Sequence, residues 1–313
     1  MNASICNKKK IFSVLVMITI FYVIFSKIDV DQFIAHFMNM DTRYLVIAFV
    51  LFFPQLILLG YRNMLLVRSD LNISFKESFE LTLVGNSFNI FTPSKLGDLV
   101  KYYFLNRKYR FPRSSGFCAF ALEKLLDVLS ITLFSAIGFF FIATDIESYK
   151  IVMMFMGIVF FGALFVYIFP LERTKLFKSV ISSVINKSRV CTGINGIFKY
   201  IDYFRGRPLF FIWICLVSVS VWFMNLLQMY VFFLAFNSTV PVEVVFTLVP
   251  IAMIIGMIPV TISGMGTRDA ALIMLFSGYV GAALMAAVGM MMSFRYFFLA
   301  GLGAPYVKKY LEK

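Results

Sequence analysis

Histidine is almost absent from this 313-residue chain: His36 is the only one, so acid–base catalysis or metal binding built on imidazole has little to draw on. It is expected as a solvated loop residue. The four cysteines, Cys6, Cys118, Cys191 and Cys215, lie far apart in no ligand spacing, and neither a disulfide nor a metal site is expected. No G-x-x-x-x-G-K-[ST] and no G-x-S-x-G occurs, which disfavours ATP-driven transport by this chain alone and a nucleophilic serine. No cofactor is expected. Charged residues make up only 14% of the chain, too few to clothe a soluble domain.

What is present is apolar. Hydrophobic residues reach 61% and the mean hydropathy is +0.88, with runs that are continuous rather than alternating. That pattern predicts an all-α polytopic membrane protein and argues against a β-barrel. Residues 1–313 form a single integral membrane domain, with no soluble domain, low-complexity tract or long linker. The net charge of +13 sits in short connections between apolar runs, where it acts as an orientation signal; no nucleic-acid partner is expected.

About six full spans are predicted, near 11–26, 44–66, 115–143, 150–169, 209–236 and 282–305. Lys8, Lys9 and Lys10 precede IFSVLVMITIFYVIF, but no small-residue cleavage motif follows, so the first span is expected to be uncleaved. Two further apolar stretches are interrupted, one at about 78–107 by Pro93 and Gly97, the other at about 243–280 by Pro259, Gly264 and Gly266. The connections 95–113 and 171–207 are strongly basic, which places them in the cytoplasm with both termini. The connections 27–43, 144–150 and 237–243 are acidic or nearly neutral and are placed outside.

Following these sides along the chain makes each interrupted stretch a re-entrant helical hairpin, the first entering from the cytoplasm and the second from outside. LTLV at 81–84 and FTLV at 246–249 precede the two breaks, and the opposite orientations predict an inverted repeat whose broken segments meet near the bilayer midplane.

The residues near the breaks carry the candidate chemistry. Asn86 and Asn89 share a helix face, and Thr92 is placed as N-cap with Pro93 at the first position of a returning half-helix. A helix N-terminus inside the membrane, with Lys95 one turn away, suits an anion such as a lipid phosphate. In PVTISGMGTRDAAL, Gly264 and Gly266 permit a tight reversal, Thr267 is placed as the second cap, Arg268 offers a fork of donors, and Asp269 sits in the first turn or pairs with a cation.

Glu123 and Asp127 lie one helical turn apart beside Lys124; they either handle protons or pair with Arg62 or Lys101. Arg295, isolated in MMMSFRYFFLAGLG, is either a counter-ion to a carboxylate such as Asp269 or a phosphate ligand. Asn225 and Gln228 share a face suited to interhelical hydrogen bonds, whereas Trp213 and Trp222 are placed on lipid-facing or interfacial surface. Asp29 and Asp31 form an acidic D-x-D that membrane glycosyltransferases often carry after a first span, but so short a motif arises readily by chance.

Taken together, N-x-x-x-x-x-x-P-S-K-x-G-D-x-x-K at 86–101, E-K-x-x-D at 123–127 and P-x-x-x-S-G-x-G-x-R-D at 259–269 resemble the lysylphosphatidylglycerol synthase transmembrane family, also called flippase-like or UPF0104 proteins. The resemblance covers essentially the whole chain. It implies a stand-alone member without the synthase domain, in the bacterial cytoplasmic membrane, translocating an anionic phospholipid or a polyprenyl-phosphate-linked lipid. The flippase reading sets the headgroup phosphate against Lys95 and Arg268, and against Arg295 in its ligand role, with Gly97, Asp98 and Lys101 beside them. Lys95 stands where the family more often carries Arg, and Asp98 and Asp269 where it often carries Glu. Implied partners are the membrane lipid and envelope glycan or lipid biosynthetic enzymes; the alternative activity is that of a membrane enzyme or accessory subunit acting on lipid-linked glycans.

Overall fold

A computed structural model describes residues 3–92, 96–141, 157, 199–258 and 260–312. The expected span at 150–169, most of the basic connection 171–207, Pro93, Lys95 and Pro259 lie outside the described residues. All named elements are helical: α1 (Ala3–Lys27), α2 (Val30–Met38), α3 (Thr42–Val50), α4 (Phe52–Leu66), α5 (Phe75–Asn89), α6 (Leu99–Tyr109), α7 (Arg113–Phe141), α8 (Pro208–Ala235), α9 (Val242–Gly256), α10 (Thr267–Leu275) and α11 (Ala282–Leu311).

Three stretches, Thr42–Ser69, Pro208–Ala235 and Ala282–Leu311, are each long and apolar enough to cross a membrane; the pair Ser13–Lys27 and Val30–Met38, bent by 91°, makes a fourth if taken as one span. The helix starts follow local chemistry. Asp29 caps α2 by accepting from the Asp31 and Gln32 amides at 3.0 and 3.1 Å, so the first acid of the D-x-D serves as a helix cap. His36 consequently lies in a short helix, half-buried, rather than in a solvated loop. Ser74 caps α5 through the Glu77 amide at 3.3 Å, and Pro208 opens α8, where its missing N–H costs nothing.

The interrupted stretches are antiparallel helical hairpins. In the first, Glu77 near the start of α5 meets Lys108 and Tyr109 at the end of α6 (2.6 and 2.7 Å), while Asn89 at the end of α5 donates to Asp98 just before α6 (3.1 Å). Cross-links at both ends define the hairpin. At its tip Gly97 packs against the Phe88–Asn89 backbone so closely that a Cβ would overlap it. The second hairpin pairs α9 with α10, and its reversal passes through positive φ at Ser263, Gly264 and Gly266.

The LTLV and FTLV threonines play matching parts: Thr82 donates to Ser78 O (2.9 Å) and Thr247 to Glu243 O (2.7 Å), each within the first arm of its hairpin. Two apolar cores follow the same division. One, with Leu65, Leu81, Val84, Phe104, Ala119 and Leu126, surrounds the first hairpin. The other, with Leu226, Phe233, Leu248, Ala252, Leu272 and Val288, surrounds the second. Helix α11 lies along α5, where Ser87 Oγ donates to Ala300 O at 3.2 Å, and α9 lies along α7, where Ser135 Oγ donates to Thr247 O at 3.1 Å.

Candidate functional site

Where the two cores adjoin, charged side chains are buried. Glu123 and Asp127, on one face of α7, are bridged by a single guanidinium: Arg62 of α4 reaches Asp127 through NH1 at 2.7 Å and Glu123 through NH2 at 3.1 Å. Of the two roles the sequence leaves open for these acids, pairing is the one built. Glu123 also accepts from Lys101 at 2.9 and 3.1 Å and from the Tyr102 hydroxyl at 3.2 Å, and Asp127 accepts from Trp222 Nε1 at 2.9 Å. Asp98 takes Lys124 Nζ at 2.5 Å, with Lys101 at 3.8 Å. Arg62, Lys101 and Lys124 thus face Asp98, Glu123 and Asp127, three charges of each sign.

These six residues, with Asn86, Asn89, Gln55, Trp222, Asn225 and Arg295, line a polar cavity of about 80 Å³. That exceeds what a single water needs. The cavity holds one positive charge in excess, and it belongs to Arg295, which is 2% exposed and paired with no carboxylate among the described residues. Its NH1 donates to Gln228 Oε1 at 2.5 Å, and with the Asn225 amide oxygen turned toward the donors, NH1 and NH2 lie 3.2 and 3.3 Å from it. Arg295 Nε has no hydrogen-bond partner, and neither do Arg62 Nε and Asn89 Oδ1 in the same cavity. A buried cation held by neutral amides and the Tyr296 hydroxyl is costly, because neutral dipoles do not cancel its charge.

Arg268 sits differently. Its Nε and NH2 hold Asp269 at 2.9 and 2.6 Å, and NH2 also reaches Gly289 O (3.2 Å) and Ser293 Oγ (2.8 Å). The counter-ion of Arg268 is therefore Asp269, which leaves Arg295 without it. Arg268 does not line the polar cavity, although both guanidiniums approach the Tyr296 ring, at 5.8 and 5.3 Å.

The expected caps shift. Gly266, at φ 94°, is the residue preceding α10, and its amide is accepted by Asp269 at 3.0 Å, so Thr267 is the first helical residue rather than the cap. Gly264 at φ 73° packs on the Gly256 carbonyl, a position open only to a residue without Cβ. In the first hairpin Pro93 and Lys95 lie outside the described residues; the described helical run starts at Leu96, and Thr92 Oγ1 accepts from the Gly97 amide at 2.8 Å.

Most consequential for the site, the two tips touch. Ser263 Oγ donates to Asn89 O at 2.7 Å, and the Ser263 amide lies 3.4 Å from Thr92 O. Of the expected residues, Asn86, Asn89, Asp98, Lys101 and Arg295 come together with Arg62, Glu123, Lys124 and Asp127, whereas Gly264, Gly266, Arg268 and Asp269 form a separate cluster behind the second tip. Sequence reasoning missed Gln55, Ser263 and Ser293. It also placed Trp222 on the lipid surface, yet the ring is 5% exposed and bonded to Asp127. Its spacing of three from Asn225 was the available signal.

An all-helical chain with membrane-length apolar helices and an ionised interior defines an integral membrane protein. Residues 10–303 match the family of lysylphosphatidylglycerol synthase TM regions, and the chain belongs to it. It is similar to a UPF0104 membrane protein of Methanocaldococcus jannaschii, 24% identical over 286 residues, covering 85% of this chain and 84% of the relative. A second UPF0104 membrane protein, from Methanothermobacter thermautotrophicus, is 25% identical over 266 residues, covering 78% and 77%. No solved structure matches.

Proposed function

We propose that this protein moves an anionic lipid, a phospholipid or a polyprenyl-phosphate-linked lipid, between the leaflets of a cytoplasmic membrane, and that the headgroup phosphate docks in the cavity against Arg295. The observation that carries this reading is the single uncompensated guanidinium in a cavity of four cations and three carboxylates. A phosphate there supplies the missing negative charge and accepts from the unused Nε.

The helix lengths support re-entrance. At 1.5 Å per residue α5 and α6 run about 22 and 16 Å, and α9 and α10 about 22 and 14 Å, short of a hydrocarbon core of about 30 Å. Each hairpin then enters from its own side, with both termini in the cytoplasm. The Ser263–Asn89 contact between the tips acts as the barrier that must open for the headgroup to pass from one hairpin to the other. The paired charges of Arg62, Lys101, Lys124, Asp98, Glu123 and Asp127 hold the wall and leave Arg295 as the ligand. Transport, rather than group transfer, is the activity proposed.

The test is reconstitution in liposomes carrying a fluorescent anionic phospholipid, with dithionite reporting its leaflet. Wild-type protein accelerates exchange and Arg295→Gln does not. Equal rates for the two refute the site.

A further inference from the structure

A second site lies away from the cavity, at the end where Thr42–Ser69 finishes and Pro208–Ala235 begins. Tyr200 OH donates to Leu66 O at 2.9 Å and Trp213 Nε1 donates to Tyr61 OH at 3.2 Å, fixing these ends side by side. A surface pocket of about 520 Å³ opens there, lined by Arg68, Tyr203, Arg207, Pro208, Leu209 and Phe210. Arg68 precedes the last residue of one candidate span and Arg207 immediately precedes the first residue of the other, so both lie at the ends of membrane-length helices, where headgroups meet a spanning helix.

Both arginines are held by rings rather than by acids. Arg207 lies over Tyr203 at 4.2 Å and Arg68 over Phe210 at 5.8 Å. Neither forms an ion pair with a carboxylate among the described residues, and the neighbouring Asp70 is taken by Lys199 at 3.1 Å. Directly along α8 from the pocket runs an exposed apolar face: Leu209 is 81% exposed, and Ile212, Trp213 and Leu216 are each about half exposed. The α4 side chains Phe53 and Ile57, half exposed as well, border the same side of the structure through Tyr61.

We propose that this pocket binds an anionic phospholipid of the surrounding bilayer, its phosphate between Arg68 and Arg207 and one acyl chain along Leu209, Ile212, Trp213 and Leu216. Two cations at headgroup level above a continuous apolar face match a lipid, whereas a free phosphate has no use for the face. The site is independent of the transport reading and stands or falls separately from it.

With Trp222, which lines the central cavity, replaced by Phe, Trp213 alone reports it. In phosphatidylcholine nanodiscs, brominated phosphatidylglycerol is expected to quench tryptophan fluorescence with an association constant roughly 30-fold above that of brominated phosphatidylcholine at low salt, about one factor of five per arginine. In R68Q/R207Q the ratio falls to about one, and in Leu209→Asp, at a fully surface position, it falls below wild type because a carboxylate enters the pocket. Equal quenching by the two lipids in wild-type protein overturns the proposal, as does a ratio that survives R68Q/R207Q. Full relief of quenching by millimolar inorganic phosphate also overturns it, by assigning the site to the free ion.

Discussion

Arg62 and Arg295 are both buried, at 1% and 2% exposure, yet replacing each with Gln is expected to have opposite consequences. Arg62 is held by two carboxylates at 2.7 and 3.1 Å, so Arg62→Gln leaves Glu123 and Asp127 with Lys101 and Lys124 as their only cations and costs about 3–5 kcal/mol of stability, the usual loss when one partner of a buried ion pair is removed. Among the described residues Arg295 has no acid to abandon. In Arg295→Gln a neutral amide still meets Gln228, the cost of an unpaired buried cation disappears, and stability changes by less than about 1 kcal/mol or rises. What Arg295→Gln loses is the ligand: two or more charge-assisted bonds, about 1.5–3 kcal/mol each, so anionic lipid binds at least about a hundredfold more weakly. The assay is unfolding in dodecyl sulfate titrations, with and without anionic phospholipid. Wild-type protein gains stability with lipid according to its occupancy, and Arg295→Gln gains less. Comparable destabilisation by the two substitutions refutes the distinction between a structural and a ligand arginine. Full lipid stabilisation of Arg295→Gln refutes the anion site itself.

Gly97→Ala is expected to cost about 1–3 kcal/mol, because the new Cβ meets Phe88 and Asn89 backbone that has no room to yield; the same unfolding titration reads it. Ser263→Ala removes the tip contact to Asn89 O, with a stability loss of about 0.5–1.5 kcal/mol and a rise in basal lipid exchange in the liposome assay; slower exchange contradicts a barrier at the tips. Asp29→Ala removes the α2 cap at a cost of about 1 kcal/mol, and with Asp31→Ala added, lipid exchange by purified protein is unchanged; loss of exchange without loss of folding revives a catalytic role for the acidic pair.

Much of this arrangement is legible one segment at a time. Helical spacing alone puts Glu123 and Asp127 on one face, and the breaks at Pro93–Gly97 and Gly264–Gly266 mark the hairpins, because a non-glycine side chain does not fit the turn that follows Gly256. What spacing does not carry is which partner a charge takes. Arg268 and Arg295 both sit in apolar runs with Asp269 as the evident counter-ion; only the α10–α11 packing gives Asp269 to Arg268, through a guanidinium also tied to Gly289 O and Ser293 Oγ. Caps are similarly local but not fully so. Thr267 satisfies every rule for an N-cap, yet Gly266 adopts the capping position because its positive φ completes the reversal begun at Ser263. Trp222 reads as lipid-facing from its size and apolar neighbours, and its hydrogen bond to Asp127 arises from α7, 95 residues away.

The distribution of charge explains how so ionised an interior can be kept in an apolar chain. Three cations and three acids cancel within one network, each carboxylate touching at least two donors, so the cost of burying them is met inside the wall of the cavity. The seventh charge, on Arg295, is left among the described residues to neutral partners, Gln228, Asn225 and the Tyr296 hydroxyl, and Gln228 is itself anchored to Ala48 O at 2.6 Å. Neutral amides hold the guanidinium in place without quenching its charge. A carboxylate at position 225 or 228 would stabilise Arg295 better and, by the same interaction, compete with any phosphate. Accordingly Gln228→Glu, which gains an ion pair with Arg295 but gives up the bond to Ala48 O, is expected to change stability by less than about 1 kcal/mol in the absence of lipid while abolishing anionic-lipid exchange, and an active Gln228→Glu protein would show that the positive charge of Arg295 is not what the substrate meets.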